Sequence, residues 1–170
     1  MNTPVTRLDE RYSGADAAAV SWDETRRVLE TAELFWISTV RADGRPHVTP
    51  VVAVWSEGAL WFTTGTEEQK FANLRANSQV VLTTGCNSWD RGLDVVLEGE
   101  ARWITDTTAL ELAAKAFAVK WAGAWQFTVR DGRFYNHGAA DWPSEVFSVS
   151  PAKVFAHAKG APYGATTHRF

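Results

Sequence analysis

The chain has 170 residues, of which 45% are apolar and 22% charged, and its formal net charge is −3. This size and composition are those of one soluble globular domain with a substantial core. Acidic and basic residues are interspersed, which argues against nucleic acid as a partner, because nucleic acid requires a concentrated basic face. No apolar run approaches the roughly 18 residues that span a bilayer, so we expect a cytoplasmic protein without a membrane partner.

Residues 1–20 show little apolar periodicity and are predicted to form a flexible N-terminal arm, followed by a single domain over residues 21–170. The sequence Ser21-Trp22-Asp23-Glu24 fits a capping box, in which Ser21 and Glu24 each satisfy a backbone N–H of the first turn. A helix from Trp22 to about Ala32 is therefore predicted.

Three β-branched apolar runs come next, at residues 34–41, 47–55 and 59–64. They are joined by Asp43-Gly44 and Glu57-Gly58, dipeptides typical of two-residue type I′ turns in which both central residues have positive φ. The sequence thus predicts an antiparallel meander of three strands.

The second of these strands contains a proline. Alternation places His47, Thr49 and Val51 on one face and Val48 and Pro50 on the other. Because Pro50 cannot donate to a strand ladder, it marks an edge, a bulge or a place where a ligand approaches the backbone.

The third strand ends at Thr63-Thr64-Gly65, and a helix over residues 67–76 follows with Lys70 and Asn73 on one face. Free N–H groups at a helix start, beside hydroxyls and a lysine, have the composition of a phosphate or other anion site. The alternative is a surface helix whose basic side is solvated.

The remaining chain predicts a mainly β, α+β barrel of six to seven antiparallel strands with helices at its rim. Its predicted elements are a strand at 80–84, a loop at 85–92, a long strand at 93–105 with a bulge near Gly99, a helix from the Asp106 cap to Lys120, an aromatic turn at 121–125, a hairpin at 127–130 and 133–135, a strand at 145–158 bent near Pro151, and a non-periodic tail at 159–170.

Sequence motifs of metal and nucleotide enzymes are missing from the chain. The single cysteine, Cys86, has no partner for a disulfide or a zinc pair and is interpreted as a buried or loop residue. The histidines His47, His137, His157 and His168 have no metal-ligand spacing, so no metal site is predicted. Nine tryptophans indicate either an aromatic-rich core or a set of rings lining a pocket or interface.

The succession FWISTVRADGRPHVTPVVAVWSEGALWFTTGTEEQKFANLRANSQVVLTTG, followed by VVLEGEARWITD and a terminal Arg-Phe tail, resembles the pyridoxamine 5′-phosphate oxidase-like split β-barrel superfamily. Within that superfamily it is most similar to the flavin and deazaflavin oxidoreductase branch, many of whose members use coenzyme F420. The resemblance covers about residues 22–170. The chain lacks the Arg-rich substrate-phosphate signature of the pyridoxamine phosphate oxidases proper.

The resemblance implies a homodimer with cofactor clefts between subunits. It implies that the second strand lies against a flavin-type ring, while the third-strand end and the helix lysine bind the phosphate and the tail closes the cleft. The implied cofactor residues are His47, Val48, Thr49, Pro50, Val51, Thr63, Thr64, Gly65, Lys70, Asn73 and Arg169. Candidates for the substrate wall are Trp89, Trp121 and Trp125.

The implied activity is hydride transfer from coenzyme F420 to a small unsaturated organic substrate. An FMN-dependent oxidase or reductase, and a coenzyme-binding protein without turnover, are the alternatives. No acid or base is assigned; His47 is the one candidate, and a structural role for it is the alternative. Arg41, Arg45 and Arg75 could extend the basic site around Lys70.

Overall fold

The computed structural model describes residues 3–136 and 142–170. Its α-helices are Trp22–Thr31 (α1), Gln69–Ala76 (α2) and Thr107–Lys120 (α3), and a 3₁₀ turn lies at Glu10–Tyr12. The strands of this part of the chain are Val5–Leu8 (β1), Phe35–Val40 (β2), Pro46–Val51 (β3), Ala53–Ser56 (β4), Ala59–Thr64 (β5), Gln79–Thr84 (β6), Leu93–Ile104 (β7), Phe127–Arg130 (β8), Arg133–Asn136 (β9), Pro143–Ala158 (β10) and Gly164–Arg169 (β11).

Seven of these strands form the barrel. The strand order β3-β2-β6-β7-β10 is antiparallel throughout, and the first half of β10 also pairs with β5, which pairs with β4. Val52 interrupts the extended segment that contains β3 and β4. Before the interruption β3 pairs with β2, and after it β4 pairs with β5, so the segment closes the barrel. The predicted mainly β split barrel with peripheral helices is confirmed.

The Gly-containing turns differ from one another. Glu57 and Gly58 both have positive φ and connect paired residues of β4 and β5, which confirms the predicted two-residue turn there. At Asp43-Gly44 the prediction of a type I′ turn is wrong. Only Gly44 has positive φ, and Arg41 N–H bonds the Arg45 carbonyl, so the loop is one residue longer than predicted. The extra residue lets a type I turn precede a glycine in the left-handed region.

The long strands β7 and β10 bend together. Gly99 lies opposite Pro151, and the register shifts between Pro151 and Lys153. A Cβ at Gly99 would lie 2.5 Å from the Ser150 carbonyl oxygen, so only glycine permits this close approach. The irregularity predicted near Gly99 and Pro151 is present, but its extra residue, Ala152, belongs to β10, whereas the pairing of β7 is continuous at Gly99.

Apolar side chains form two clusters. The first fills the barrel, and α1 and α2 contribute Leu29, Phe71 and Leu74 to it. The second lies between α3 and the β8–β9 hairpin and includes Phe117 and Phe134. The capping box of α1 is confirmed, because Ser21 and Glu24 bond each other's backbone N–H groups.

Both ends of the chain join the sheet. β1 pairs with β11, and β11 pairs with the second half of β10. The prediction of a flexible arm over residues 1–20 is therefore wrong for β1, and the prediction of a tail without a strand is wrong for β11. Both strands are rich in small and polar residues, so they show no apolar alternation. The fully buried His168 takes the place of an apolar residue, because its ring nitrogens bond the Thr6 and Thr25 hydroxyls at 2.8 and 2.9 Å.

Candidate functional site

The candidate site lies where β5 ends and α2 begins. Gly65 follows directly on β5, and the backbone turns into α2 through a bond from Glu68 N–H to the Gly65 carbonyl. Lys70 lies in the first turn of α2 and is 6% exposed. The Gly65 N–H and the Lys70 ammonium both point to one place, because both donate to the carboxylate of Glu68.

These two donors define an anion site, since a carboxylate already occupies them. Glu68 Oε1 accepts the Gly65 N–H at 2.7 Å, and Oε2 pairs with Lys70 Nζ. Glu68 stands at the N-cap of α2, yet its side chain makes no capping bond to that helix. The lysine and the helix start lie where the sequence predicts them, but the backbone donor is the Gly65 N–H, which precedes α2, rather than an N–H group of the first helical turn.

A chain of hydrogen bonds connects α2 with β2 and β3. Gln69 Nε2 donates to Asn73 Oδ1 at 2.8 Å, and Asn73 Nδ2 donates to the Thr39 hydroxyl at 2.9 Å. Thr39 Oγ1 lies 3.3 Å from the His47 carbonyl oxygen and 3.4 Å from His47 Nδ1. The structure thus brings the predicted residues His47, Lys70 and Asn73 together.

Positive charge surrounds His47. Partial burial, and then the charges of Arg41 and Lys70, lower the pKa of this histidine. Burial also lowers the pKa of the Lys70 ammonium, while its ion pair with Glu68 favours the charged form. At neutral pH His47 is consequently a neutral hydrogen-bonding group beside a lysine.

Two buried polar atoms near this network have no hydrogen-bond partner in the described part of the chain. They are Thr49 Oγ1 on β3 and Arg41 Nε at the end of β2. Such atoms are costly unless a ligand or water bonds them. Gly65 N–H and Lys70 can bond an anionic group, and the two unpartnered atoms can bond a polar ring edge. The residues present therefore fit a phosphate-bearing coenzyme.

The predicted residues of β3 fall on two sides of the strand. Val51 faces the core, Val48 and Pro50 are exposed, and His47 and Thr49 are half-buried. β3 pairs only with β2 among the described residues, so it is an edge strand, as the position of Pro50 predicted.

Thr63 and Thr64 cannot both face the anion site, because neighbouring strand residues point to opposite faces. Thr64 is buried, lies opposite Glu145 and donates from its hydroxyl to the Gly65 carbonyl. Thr63 lies opposite Val146, which belongs to the second cluster. The side chains of Thr63 and Thr64 therefore lie on opposite faces of β5, and at most one of them can lie on the face of the anion site.

Arg169 lies apart from Lys70 in this subunit. It is on β11 and pairs with Lys153 of β10, whereas Thr64, next to Gly65, pairs with Glu145, eight residues earlier in the same strand. Within one subunit the structure does not place Arg169 at the anion site.

The three tryptophans of the predicted substrate wall do not form one surface. Trp89 is 90% exposed on the loop after β6. Trp121 and Trp125 pack instead against the second cluster, where Trp121 stacks on Phe117 at 5.7 Å between ring centroids. Their aromatic character reflects core packing, which is one of the two readings that the tryptophan count allowed.

Sequence reasoning missed three contributors to the site: Thr39, Glu68 and Gln69. Thr39 has no local signal, because its role depends on α2 packing across β2. Glu68 and Gln69 carried a weaker signal, since both immediately precede the lysine in the turn that leads into α2. Of the predicted basic extension, Arg41 is half-buried near His47, while Arg45 and Arg75 are exposed.

No group of three His, Cys, Asp or Glu side chains that could hold a metal occurs among the described residues, and His137 lies outside them. Cys86 is an exposed loop residue whose thiol bonds the Arg91 carbonyl. None of the described helices is both long and apolar enough to cross a membrane.

The chain belongs to the pyridoxamine 5′-phosphate oxidase family, because the model of that family matches residues 21–158, from the cap of α1 to the end of β10. The superfamily predicted from the sequence is thereby confirmed. No curated protein matches the sequence significantly.

Solved structures share the fold. A FAD-binding protein from Mesorhizobium loti matches with a TM-score of 0.60 at 18% identity, covering 98% of this chain and 99% of the other. The FAD binding protein from Mycobacterium smegmatis matches with a TM-score of 0.59 at 19% identity, covering 89% of this chain and 98% of the other. A conserved hypothetical protein from Mycobacterium tuberculosis matches with a TM-score of 0.66 at 18% identity, covering 84% of this chain and 87% of the other.

Proposed function

We propose that this protein is an oxidoreductase that binds a flavin-type coenzyme, a flavin or a deazaflavin, at the end of β5. The observation that carries the proposal is the convergence of a backbone N–H and a buried lysine beside an edge strand with unpartnered polar atoms. Family membership supports it. The descriptions of two structures with the same fold as FAD-binding proteins are consistent with it.

Different residues of the chain bind different parts of the coenzyme. Gly65 N–H and Lys70 hold the phosphate, because they already bind a carboxylate. Thr49 and Arg41 offer unpartnered polar atoms to the rest of the coenzyme. His47 supplies a neutral ring next to the Thr39 hydroxyl. The Asn73 amide orients that hydroxyl by donating a hydrogen bond to it.

The bound coenzyme supplies the hydride chemistry, and the protein orients it and excludes water. Coenzyme F420, with a small unsaturated organic substrate, is the first candidate, since the sequence resembles the deazaflavin branch. FMN is the second candidate. A binding protein without turnover is the alternative that an activity assay distinguishes.

We also propose a homodimer. The outer face of β2 and β3 carries Trp36 and Val48, which are 48% and 52% exposed, next to Pro50. Apolar side chains of this size on one open sheet face are typical of a protein interface. A second copy of the chain would bury them beside the edge strand of the site.

The test is a titration of the purified protein, freed of coenzyme, with F420, FMN and FAD, followed by fluorescence. We expect one of them to bind well below millimolar concentration. Lys70→Met should weaken that binding by about 1.5 to 3 kcal/mol, because it removes a charge-assisted hydrogen bond while keeping the aliphatic volume.

Lys115→Met is the matched control, since Lys115 is exposed on α3, and it should leave the affinity unchanged. Circular dichroism establishes that both variants fold. The proposal is wrong if none of the three coenzymes binds below about 1 mM, which corresponds to about −4 kcal/mol. Equal effects of the two lysine variants would refute the assignment of the phosphate site.

A further inference from the structure

Glu68 occupies the two donors that the proposed phosphate requires. Its two carboxylate oxygens are divided between Gly65 N–H and Lys70 Nζ. The side chain turns away from the helix N-terminus that its own position would normally cap. The chain therefore supplies its own anion to this site.

The charge at the site is balanced before any ligand arrives. Lys70 is buried, whereas the Glu68 side chain is 48% exposed, so the carboxylate can move into solvent while the lysine cannot. Glu68 lies only two residues from Lys70 and three from Gly65, and the backbone keeps it near a phosphate that replaces it. A bound phosphate thus gains one cation and faces one nearby carboxylate.

We propose that Glu68 lowers the affinity of this site for the doubly charged phosphate of a monoester more than for a phosphate with a single charge, as in a phosphodiester. The proposal rests on the proposed function, since it concerns the phosphate that the same site accepts. The physical reason is that the energy of a phosphate beside each charge of the site grows in proportion to the phosphate charge, so the Glu68 carboxylate offsets the attraction of Lys70 by a larger amount for a dianion than for a monoanion.

This selectivity separates the candidate coenzymes by chemistry. FMN ends in a phosphate monoester, whose second pKa of about 6 leaves it with a charge between −1.5 and −2 at neutral pH. The phosphate of F420 is a diester, and each phosphorus of FAD has one ester bond and one anhydride bond, so both coenzymes carry one charge per phosphorus. Glu68 accordingly disfavours the phosphate of FMN more than a phosphate of F420 or FAD.

The experiment compares three ligands that share one ring: riboflavin, FMN and the methyl ester of FMN. Riboflavin has no phosphate, the methyl ester is a singly charged diester, and FMN carries the larger charge. Dissociation constants are measured by flavin fluorescence at low ionic strength for the wild type, Glu68→Gln and Glu67→Gln. Glu67 is an exposed neighbour in the same turn, so its variant carries the same charge change.

We expect Glu68→Gln to tighten FMN binding about tenfold, and the methyl ester about threefold or less, from a unit charge removed at contact distance from a partly solvated site. Riboflavin affinity should change less than about twofold, because no phosphate is present. The ratio of FMN affinity to methyl-ester affinity should therefore be about threefold higher in Glu68→Gln than in the wild type. Glu67→Gln should change every affinity less than about twofold, because Glu67 is an exposed, solvated charge and the carboxylate that contacts Gly65 N–H and Lys70 is that of Glu68.

Equal tightening of FMN and its ester by Glu68→Gln, or equal effects of the two glutamate variants, would overturn the selectivity while leaving the proposed function standing. Unchanged FMN affinity in Glu68→Gln would do the same. If neither riboflavin nor the phosphorylated ligands bind the wild type, F420 and FAD included, the proposed function fails and this inference fails with it.

Discussion

Two threonines beside the candidate site have similar positions but opposite hydrogen-bonding states. The buried Thr39 hydroxyl accepts a bond from Asn73 Nδ2 and lies within bonding distance of the His47 carbonyl. The Thr49 hydroxyl is also buried, and no described group bonds it. Replacing each threonine with valine removes one hydroxyl at nearly constant volume, so the two variants should shift the stability of the coenzyme-free protein in opposite directions.

The magnitudes follow from the partners. Thr39→Val leaves the Asn73 amide buried without its acceptor, which costs about 1 to 3 kcal/mol in the free energy of unfolding. Thr49→Val removes an unsatisfied hydroxyl and should raise the free energy of unfolding by about 1 kcal/mol. With coenzyme bound the Thr49 variant should lose affinity by about 0.5 to 1.5 kcal/mol, the net value of one hydrogen bond.

Urea-induced unfolding of the coenzyme-free proteins, followed by tryptophan fluorescence, measures the stability changes, and the coenzyme titration measures the affinity. An unchanged slope of the unfolding transition shows that the midpoint reports stability alone. The reasoning is refuted if Thr49→Val destabilises the coenzyme-free protein, or if Thr39→Val unfolds at the same urea concentration as the wild type.

Three further predictions concern the dimer and two buried ionisable groups. Trp36→Asp should convert dimers to monomers in analytical ultracentrifugation, because it places a charge on the outer face of β2, whereas Trp89→Asp on an exposed loop should leave the dimer intact. Burial lowers the pKa of His168 below its usual 6.5, so just below pH 6.5 the unfolded chain binds more protons than the folded chain, and the free energy of unfolding should rise with pH there. His168→Gln should flatten this dependence. Burial lowers the pKa of Lys120 from 10.5 to about 8, so the unfolded chain binds more protons between these values, and the stability of the wild type should rise relative to Lys120→Met as pH increases across that range. Urea unfolding at several pH values checks both, and an equal pH dependence in wild type and variant would contradict either prediction.

Local signals identified most elements whose information lies within a few residues, although the loop at Asp43-Gly44 is one residue longer than predicted. The capping box of α1 and the Glu57-Gly58 turn are each specified by neighbouring side chains and backbone conformations. Alternation of apolar residues identified the barrel strands, because each has one face in the core. The proposed anion site could be predicted from the sequence because Gly65, Glu68 and Lys70 lie within six consecutive residues.

The strands at the two ends of the chain, β1 and β11, depended on tertiary structure. They carry polar residues whose burial becomes favourable only when Thr6, Thr25 and His168 meet, although some 140 to 160 residues separate the histidine from its partners. A hydrogen bond between residues so distant leaves no periodic pattern in the sequence. The local reading of these ends as an arm and a tail failed for that reason.

The composition of the site shows the same division. Lys70 and Gly65 could be read from the turn that they share, but the role of Thr39 required α2 to pack across β2. Only the fold could separate Trp89, on its exposed loop, from Trp121 and Trp125 in the second cluster. The conformation of a turn depends on consecutive residues and can therefore be predicted from the sequence. The partners of a buried hydroxyl or an aromatic ring depend instead on which distant elements come into contact.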